Sequence, residues 1–187
     1  MRQRVVVSCP IDTYSGYGAR SRDFVQALIN LDKYDIEILA QKWGNCRAGY
    51  LSDHNQEEME SLIIGQVTSK PDIWVQITIP NEFQPVGHYN IGVTAGIETT
   101  NCDIEWIRGC NKMNLVLCSS EHSKHVFEHS KFQNSENAED IVEITTPVEV
   151  LFEGGNLDIY KVIKKFKNKE LFDNINLMSE DFAYIVV

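Results

Sequence analysis

The sequence contains no long apolar run, and none of its apolar stretches approaches the ~20 residues that a membrane-spanning helix needs. The Met-Arg-Gln-Arg start is followed by only three valines, too few for the apolar region of a secretory signal peptide. Positive charge is also scarce, with 17 Lys and Arg against 27 Asp and Glu, a formal net charge of −10. Non-specific binding to nucleic acid or to an anionic membrane rests on clustered Lys and Arg, so this composition argues against both. We expect a cytoplasmic protein with no nucleic-acid partner.

Cysteine is present without the pairing that a disulfide framework would show. The count of five is odd, and no two cysteines have the Cys-x-x-Cys spacing. Cys9 and Cys118 lie in apolar, strand-like runs, where a free thiol behaves as a small apolar side chain. We therefore predict free thiols in a reducing compartment.

Strand-like and helix-like segments alternate over about the first 150 residues of the 187. A continuous apolar run at residues 4–9 indicates a strand buried on both faces. The further predicted strands are 35–41, 71–79, 89–95, 115–119 and 148–152, and the predicted helices are 18–31, 103–113 and 121–131, with weak helical character at 52–64. This alternation predicts a parallel sheet covered on both faces. With right-handed crossovers it gives a Rossmann-like, doubly wound α/β fold.

Two local patterns carry further predictions. In the strand predicted at 71–79, Ile and Val alternate with Trp74, Gln76 and Thr78, so only one face of the strand looks fully apolar. Thr100 and Asp103 have the spacing of a capping box before the helix predicted at 103–113, although Asp is weaker than Glu or Gln in the second position.

The residues around and after the strand predicted at 148–152 follow a different pattern. A polar insertion at 133–146 lies before this strand, and "EGGNLDIY" after it looks like a linker. Residues 157–166 are predicted as a helix and "FAYIVV" at 182–187 as a strand. We expect a Rossmann-like domain at 1–154, followed at 155–187 by a linker and the first strand of a second domain that the chain otherwise lacks. Such a terminal strand would offer an exposed edge for homodimerisation.

The stretch "DTYSGYGARSRDF" at residues 12–24 joins the first strand to the first helix. It departs from the dinucleotide fingerprint, because Ser21 stands at the third glycine position and no acid ends the second strand. Gly16 and Gly18 still allow a ligand close to the backbone, and the helix N-terminus favours an anion. Arg20 and Arg22 are expected in the first helical turn, where their positive charges oppose the helix dipole. A bound phosphate would offset this unfavourable interaction. A plain turn with exposed arginines is the alternative.

Three histidines, His122, His125 and His129, fall within one face of the helix predicted at 121–131. Three imidazoles can hold zinc, but the surrounding Lys and Glu are equally typical of a solvated helix surface. We predict no bound metal and no other cofactor.

Four segments taken together resemble a known family. "SGYGARSRDFVQALI", "PDIWVQITIPNEF", "YNIGVTAGIETT" and "WIRGCNKMNLVLCSSEHSKHVF" follow one another in the order found in the N-terminal domain of GT-B-fold glycosyltransferases. The likeness is to the retaining group 1, or family four, type of bacteria and phages, and it runs from about residue 4 to residue 154. The tail that ends in "SEDFAYIVV" is similar to the interdomain linker and opening strand of the second domain.

The resemblance implies two Rossmann-like domains that face each other across a cleft. The N-terminal domain receives the sugar or glycan acceptor, and the second domain binds most of the nucleotide-sugar donor, so the chain is expected to be inactive alone. Glu98 is implied as a catalytic residue, because it lies near the position where several relatives carry a histidine. The implied substrate-binding residues are Gly16, Tyr17, Gly18, Arg20, Thr99, Thr100, Ser120 and Glu121. Tyr14 and Tyr17 are candidates to stack on a sugar.

A binding role without catalysis is the alternative from another class. In that case the chain is a Rossmann-like module for a sugar, a phosphorylated ligand or a protein partner.

Overall fold

A six-stranded parallel sheet with helices against it is the centre of the structure, a computed structural model that describes residues 2–133, 141–154, 170 and 173. The strands are β1 (Gln3–Cys9), β2 (Tyr34–Ala40), β3 (Ile73–Ile77), β4 (Tyr89–Val93), β5 (Leu115–Cys118), β6 (Phe132–Gln133), β7 (Ile141–Val142) and β8 (Val148–Val150). Across the sheet the order is β2-β1-β3-β4-β5-β8, and every neighbouring pair is parallel. The predicted α/β class with a Rossmann-like, doubly wound sheet is confirmed.

Helices connect these strands. They are α1 (Gly16–Leu31), α2 (Tyr50–Asp53), α3 (Glu57–Ser61), α4 (Ile104–Cys110) and α5 (Glu121–His129), with a 3₁₀ turn at Pro80–Glu82. Within the described residues no helix is both long enough and apolar enough to cross a membrane. The chain divides into two compact units, Met1–Glu153 and Gly154–Val187, and all of these elements belong to the first.

The strand order places a topological switch point between β1 and β3. The chain leaves β1 in one direction to form β2, then returns past β1 to form β3 on its other side. In open α/β sheets the connections on either side of such a point diverge and leave a crevice beyond the carboxyl ends of the strands. The glycine loop follows β1 directly, so it lies at this crevice.

The apolar core lies on both faces of the sheet, because neighbouring residues of a strand point to opposite faces. In β1, Val5 and Val7 pack in one cluster, whereas Val6 packs in the other. Only one face of β3 looks fully apolar in the sequence, yet the other face is covered too: Trp74, and Thr78 just after the strand, are only 3% and 6% exposed. Side chains of α4 and α5 pack in the same cluster as Trp74 and cover this second face.

Two helices begin at other residues than predicted, because the residue directly before each helix is its N-cap. Helix α1 begins at Gly16, since the Ser15 hydroxyl accepts a hydrogen bond from the backbone N–H of Gly18. Helix α4 is capped by Asp103, whose carboxylate accepts from the backbone N–H of Glu105, so the capping box expected from Thr100 is wrong. The weak helical segment at 52–64 is present as α2 and α3.

The polar insertion carries structure at its two ends. Strands β6 and β7 pair antiparallel, and the residues between them, 134–140, lie outside the described part of the chain. The predicted linker beyond Gly154, the helix at 157–166 and the strand at 182–187 also lie outside the described residues.

The five cysteines carry free thiols, as predicted, and four of them are buried. Burial raises the pKa of Cys9 to about 12. It also raises the pKa values of the thiols of Cys102, Cys110 and Cys118. Cys46, in the loop after β2, is exposed. Because the thiolate is the reactive form, a raised pKa leaves less of it at any given pH.

Thiol titration of the folded protein should therefore distinguish one cysteine from the other four. We expect Ellman's reagent at mildly alkaline pH to modify Cys46 rapidly and the buried thiols only after denaturation. Cys46→Ser should remove the rapid phase and leave the slow one unchanged. A second rapidly reacting thiol in the native protein would contradict this prediction.

Candidate functional site

Two cavities that share Ala95 open beyond the carboxyl ends of the central strands. The first, here called the glycine-loop cavity, has a volume of about 210 Å³ and is lined by Gly16, Tyr17, Arg20, Trp43, Ile77, Thr94, Ala95 and Glu153. The second, here called the serine cavity, has a volume of about 460 Å³ and is lined by Ala95, Ile97, Glu98, Ser119, Ser120, His122 and Ser123. Their position matches the crevice that the strand order creates.

Short-range hydrogen bonds give the glycine loop its shape. The Thr13 hydroxyl donates to the carbonyl oxygen of Pro10 at 2.9 Å, so at 2.8 Å the Ser15 hydroxyl donates to Thr13 Oγ1. Ser15 Oγ also accepts from the backbone N–H of Gly18 at 2.9 Å. A Cβ at Gly18 would overlap the Thr13 carbonyl oxygen, whereas one at Gly16 would meet nothing within 4 Å. Gly18 is thus required by close packing, while Gly16 borders open space in the cavity.

Arg22 does not face the cavity, contrary to the expectation of a phosphate-facing pair of arginines. Its guanidinium donates to the carbonyl oxygens of Ile11 at 2.7 Å and Thr13 at 3.0 Å, and it lies 3.4 Å above the ring of Tyr50. Burial lowers the pKa of Arg22. Because α1 begins at Gly16, Arg22 lies beyond the first turn, so the expected conflict with the helix dipole is wrong. Arg22 instead holds the glycine loop in place.

Arg20 lines the glycine-loop cavity, but its donors are partly used. It donates to the carbonyl oxygens of Leu151 at 2.8 Å and Phe152 at 3.3 Å. Its Nε lies 3.8 Å from a carboxylate oxygen of Glu153, and its side chain is 15% exposed. Like Arg22, Arg20 lies beyond the first turn of α1. The cation that the sequence offers to a phosphate is therefore already in contact with the segment after β8.

Tyr17 forms an aromatic wall of the glycine-loop cavity together with Trp43. The two rings stack with centroids 4.2 Å apart and an angle of 28° between their planes. The Tyr17 hydroxyl accepts from the backbone N–H of Ala95 at 3.1 Å and lies 3.1 Å from Thr94 Oγ1. These contacts connect α1 to the segment after β4. Tyr14, the other proposed sugar-stacking residue, instead donates to Asp53 at 2.7 Å and does not line the cavity.

Ser123 organises the serine cavity from the first turn of α5. Its hydroxyl accepts from the backbone N–H of Ile97 at 3.2 Å and donates to the Ile97 carbonyl oxygen at 3.3 Å. Ser120 caps the helix by accepting from the Ser123 backbone N–H at 3.1 Å, and its hydroxyl donates to Ser123 Oγ at 3.0 Å. Gly96 has a φ of +91°, and a Cβ there would overlap the Ser123 side chain. The segment after β4 is thereby held against α5.

Glu98 and His122 provide the ionisable side chains of the serine cavity. Glu98 is exposed, and no described side chain pairs with its carboxylate. His122 Nε2 lies 3.3 Å from the carbonyl oxygen of Thr99. The carboxylate of Glu98 is therefore accessible to a ligand hydroxyl, and its catalytic role stays a prediction.

The structure sorts the predicted site residues into three groups. Gly16, Tyr17 and Arg20 line the glycine-loop cavity, Glu98 and Ser120 line the serine cavity, and Gly18, Thr99, Thr100 and Glu121 line neither. Thr99, Thr100 and Glu121 are exposed. The lining residues absent from the prediction include Thr94, Ser123 and Glu153. Those after β4 and β5 follow strand ends that the sequence does reveal, but no local pattern indicates Glu153.

The histidines of α5 do not converge on one point. His125 and His129 stack on each other with ring centroids 3.9 Å apart, whereas His122 lines the serine cavity. In the part of the chain that the structure describes, no group of three or more His, Cys, Asp or Glu side chains is arranged to hold a metal ion.

Comparison of the chain with protein-family models, with curated proteins and with solved structures found no match.

Proposed function

We propose that the first unit is the acceptor-side domain of a glycosyltransferase, the half that receives a sugar or glycan while a second domain presents the nucleotide-sugar donor. The observation that carries this proposal is the Tyr17–Trp43 wall beside polar groups at the carboxyl edge of the sheet. A mostly apolar wall with a few fixed polar groups is the usual composition of a small-molecule site. The order of the four sequence motifs supplies the class of reaction.

In this proposal an acceptor sugar lies with one ring face against the aromatic wall. Its hydroxyl groups reach Thr94 in the glycine-loop cavity and the serines of the neighbouring cavity, which supply both donors and acceptors. Glu98 then accepts a hydrogen bond from the attacking hydroxyl and orients it toward the donor. A substrate held across both cavities would be larger than a monosaccharide.

Removal of the aromatic wall should weaken saccharide binding. We expect a screen of neutral mono- and oligosaccharides by saturation-transfer NMR to find a ligand, and Trp43→Ala to weaken its binding by at least about ten-fold, because buried aromatic contacts carry much of the affinity of such sites. Tyr89→Ala is the matched control: Tyr89 is 44% exposed at the start of β4, the strand end opposite the cavities. Failure of every saccharide to bind, or equal loss in both variants, would contradict the proposed site.

A non-catalytic sugar-binding module is the second candidate. The observation that favours it is the use of Arg20 by the carbonyl oxygens of Leu151 and Phe152, which reduces its capacity to hold donor phosphates. The two candidates differ in a preparation that also contains a donor-binding domain. There a transferase releases nucleoside diphosphate in the presence of acceptor, and Glu98→Gln should lower that rate by at least about ten-fold. A binding module releases none.

A further inference from the structure

Glu153 enters the glycine-loop cavity from a distant part of the chain. It follows β8, yet it lines the cavity together with Gly16 and Tyr17 of α1. One of its carboxylate oxygens lies 3.8 Å from Nε of Arg20, and its side chain remains 51% exposed. A negative charge therefore already lies at the place where an anionic ligand would meet the arginine.

The backbone contacts of Arg20 hold this carboxylate in position. A guanidinium has five N–H donors, and here two of its nitrogens donate to the carbonyl oxygens of Leu151 and Phe152. These are the two residues directly before Glu153, so the same side chain that attracts the carboxylate also fixes the chain leading to it. An anion that approached Arg20 would meet a like charge, and would have to displace either Glu153 or the bonds to the carbonyls.

We infer that Glu153 determines the charge specificity of the site, since its carboxylate excludes free anions from Arg20 and reserves the glycine-loop cavity for uncharged, hydroxylated ligands. The inference rests on the proposed function, in which the ligand is a saccharide. A carboxylate accepts hydrogen bonds from ligand hydroxyls, whereas a like charge brought close to it is disfavoured. The glycine loop is then not a phosphate cradle in this chain, even though its backbone could form one.

Inorganic pyrophosphate is the probe that tests this inference. In calorimetric titrations at low ionic strength, Glu153→Gln should bind pyrophosphate at least about ten-fold more tightly than the wild type, because a juxtaposed like charge has been removed. Glu149→Gln is the matched control. It also removes one exposed acid, but the Glu149 carboxylate pairs with Lys124 and does not line the glycine-loop cavity. It should behave as the wild type does.

The double variant Arg20→Gln/Glu153→Gln tests whether the gain in pyrophosphate affinity depends on Arg20. It should lose the affinity that Glu153→Gln acquired, because the cation that receives the pyrophosphate is gone. Equal binding by wild type and Glu153→Gln, absence of binding by both, an equal gain in Glu149→Gln, or a gain that survives the loss of Arg20 would overturn the inference. The saccharide screen tests a different point. If no saccharide binds, but Glu153→Gln still binds pyrophosphate more tightly than the wild type, only the proposed function is contradicted.

Discussion

Gly18→Ala should lower the free energy of unfolding by about 3 kcal/mol, the upper part of the range for overpacking a closed site. The new Cβ would overlap the carbonyl oxygen of Thr13 and lie 2.8 Å from its side-chain oxygen. Neither atom is free to move. The Thr13 hydroxyl donates to the carbonyl oxygen of Pro10 at 2.9 Å, and the Thr13 carbonyl oxygen accepts from Arg22 at 3.0 Å. Urea denaturation monitored by circular dichroism measures the change.

Gly16→Ala provides the control for this prediction within the same loop. A Cβ at Gly16 meets no atom within 4 Å, and the residue is the first of α1. Alanine is the better helix former and restricts the unfolded chain more than glycine, so this variant should be neutral or stabilised by about 0.5 kcal/mol. A similar loss of stability in both variants would show that the close approach at Gly18 does not limit the loop.

Gly96→Ala should destabilise the protein by a comparable amount, about 3 kcal/mol, for two combined reasons. The φ of +91° is strained for any residue with a side chain, which costs about 1–2 kcal/mol. The new Cβ would also overlap Oγ and Cβ of Ser123, and rotation of the Ser123 side chain cannot remove the overlap with its Cβ. Because Ser123 holds the segment after β4, saccharide binding that depends on Glu98 should weaken as well.

Gly44→Ala separates the two causes. Gly44 also has a positive φ, +49°, but a Cβ there has nothing within 4 Å. This variant should therefore lose only the backbone contribution, about 1 kcal/mol. The difference between the two variants, measured by the same urea titration, reports the overlap with Ser123. Equal losses of stability in the two variants would mean that α5 shifts to accommodate the new Cβ at no energetic cost. Gly96 would then be required only by its backbone angle.

Much of the fold could be predicted because its signals are local. A strand buried on both faces is an apolar run, a helix repeats its apolar residues every three or four positions, and the alternation of the two implies a parallel sheet. The errors also have local causes. Ser15 and Asp103 cap their helices, so α1 begins before its predicted start and α4 after it. The burial of Trp74 is different, because α4 and α5, which are distant in the chain, cover that face of β3.

The candidate site was predicted only where its residues follow directly after a strand. The glycine loop after β1 belongs to this group, because the carboxyl ends of parallel strands share one edge, whereas Glu98 after β4 was implied only by the resemblance of its motif. The stack of Tyr17 on Trp43 joins a helix to a loop beyond the next strand, and no pattern in either segment indicates the other. The same holds for Gly96 and Ser123.

By itself, then, the sequence determined the class of fold and the place of the loop "DTYSGYGARSRDF" at the carboxyl edge of the sheet, because apolar periodicity and glycine spacing act between near neighbours in the chain. Only the tertiary structure decided what that loop faces. The strand order brings β8 to the edge of the sheet and the segment after it to Arg20, and the carboxylate of Glu153 arrives with it. The charge of a site is a sum over side chains that are close in space, and their distance along the chain carries no information about that sum.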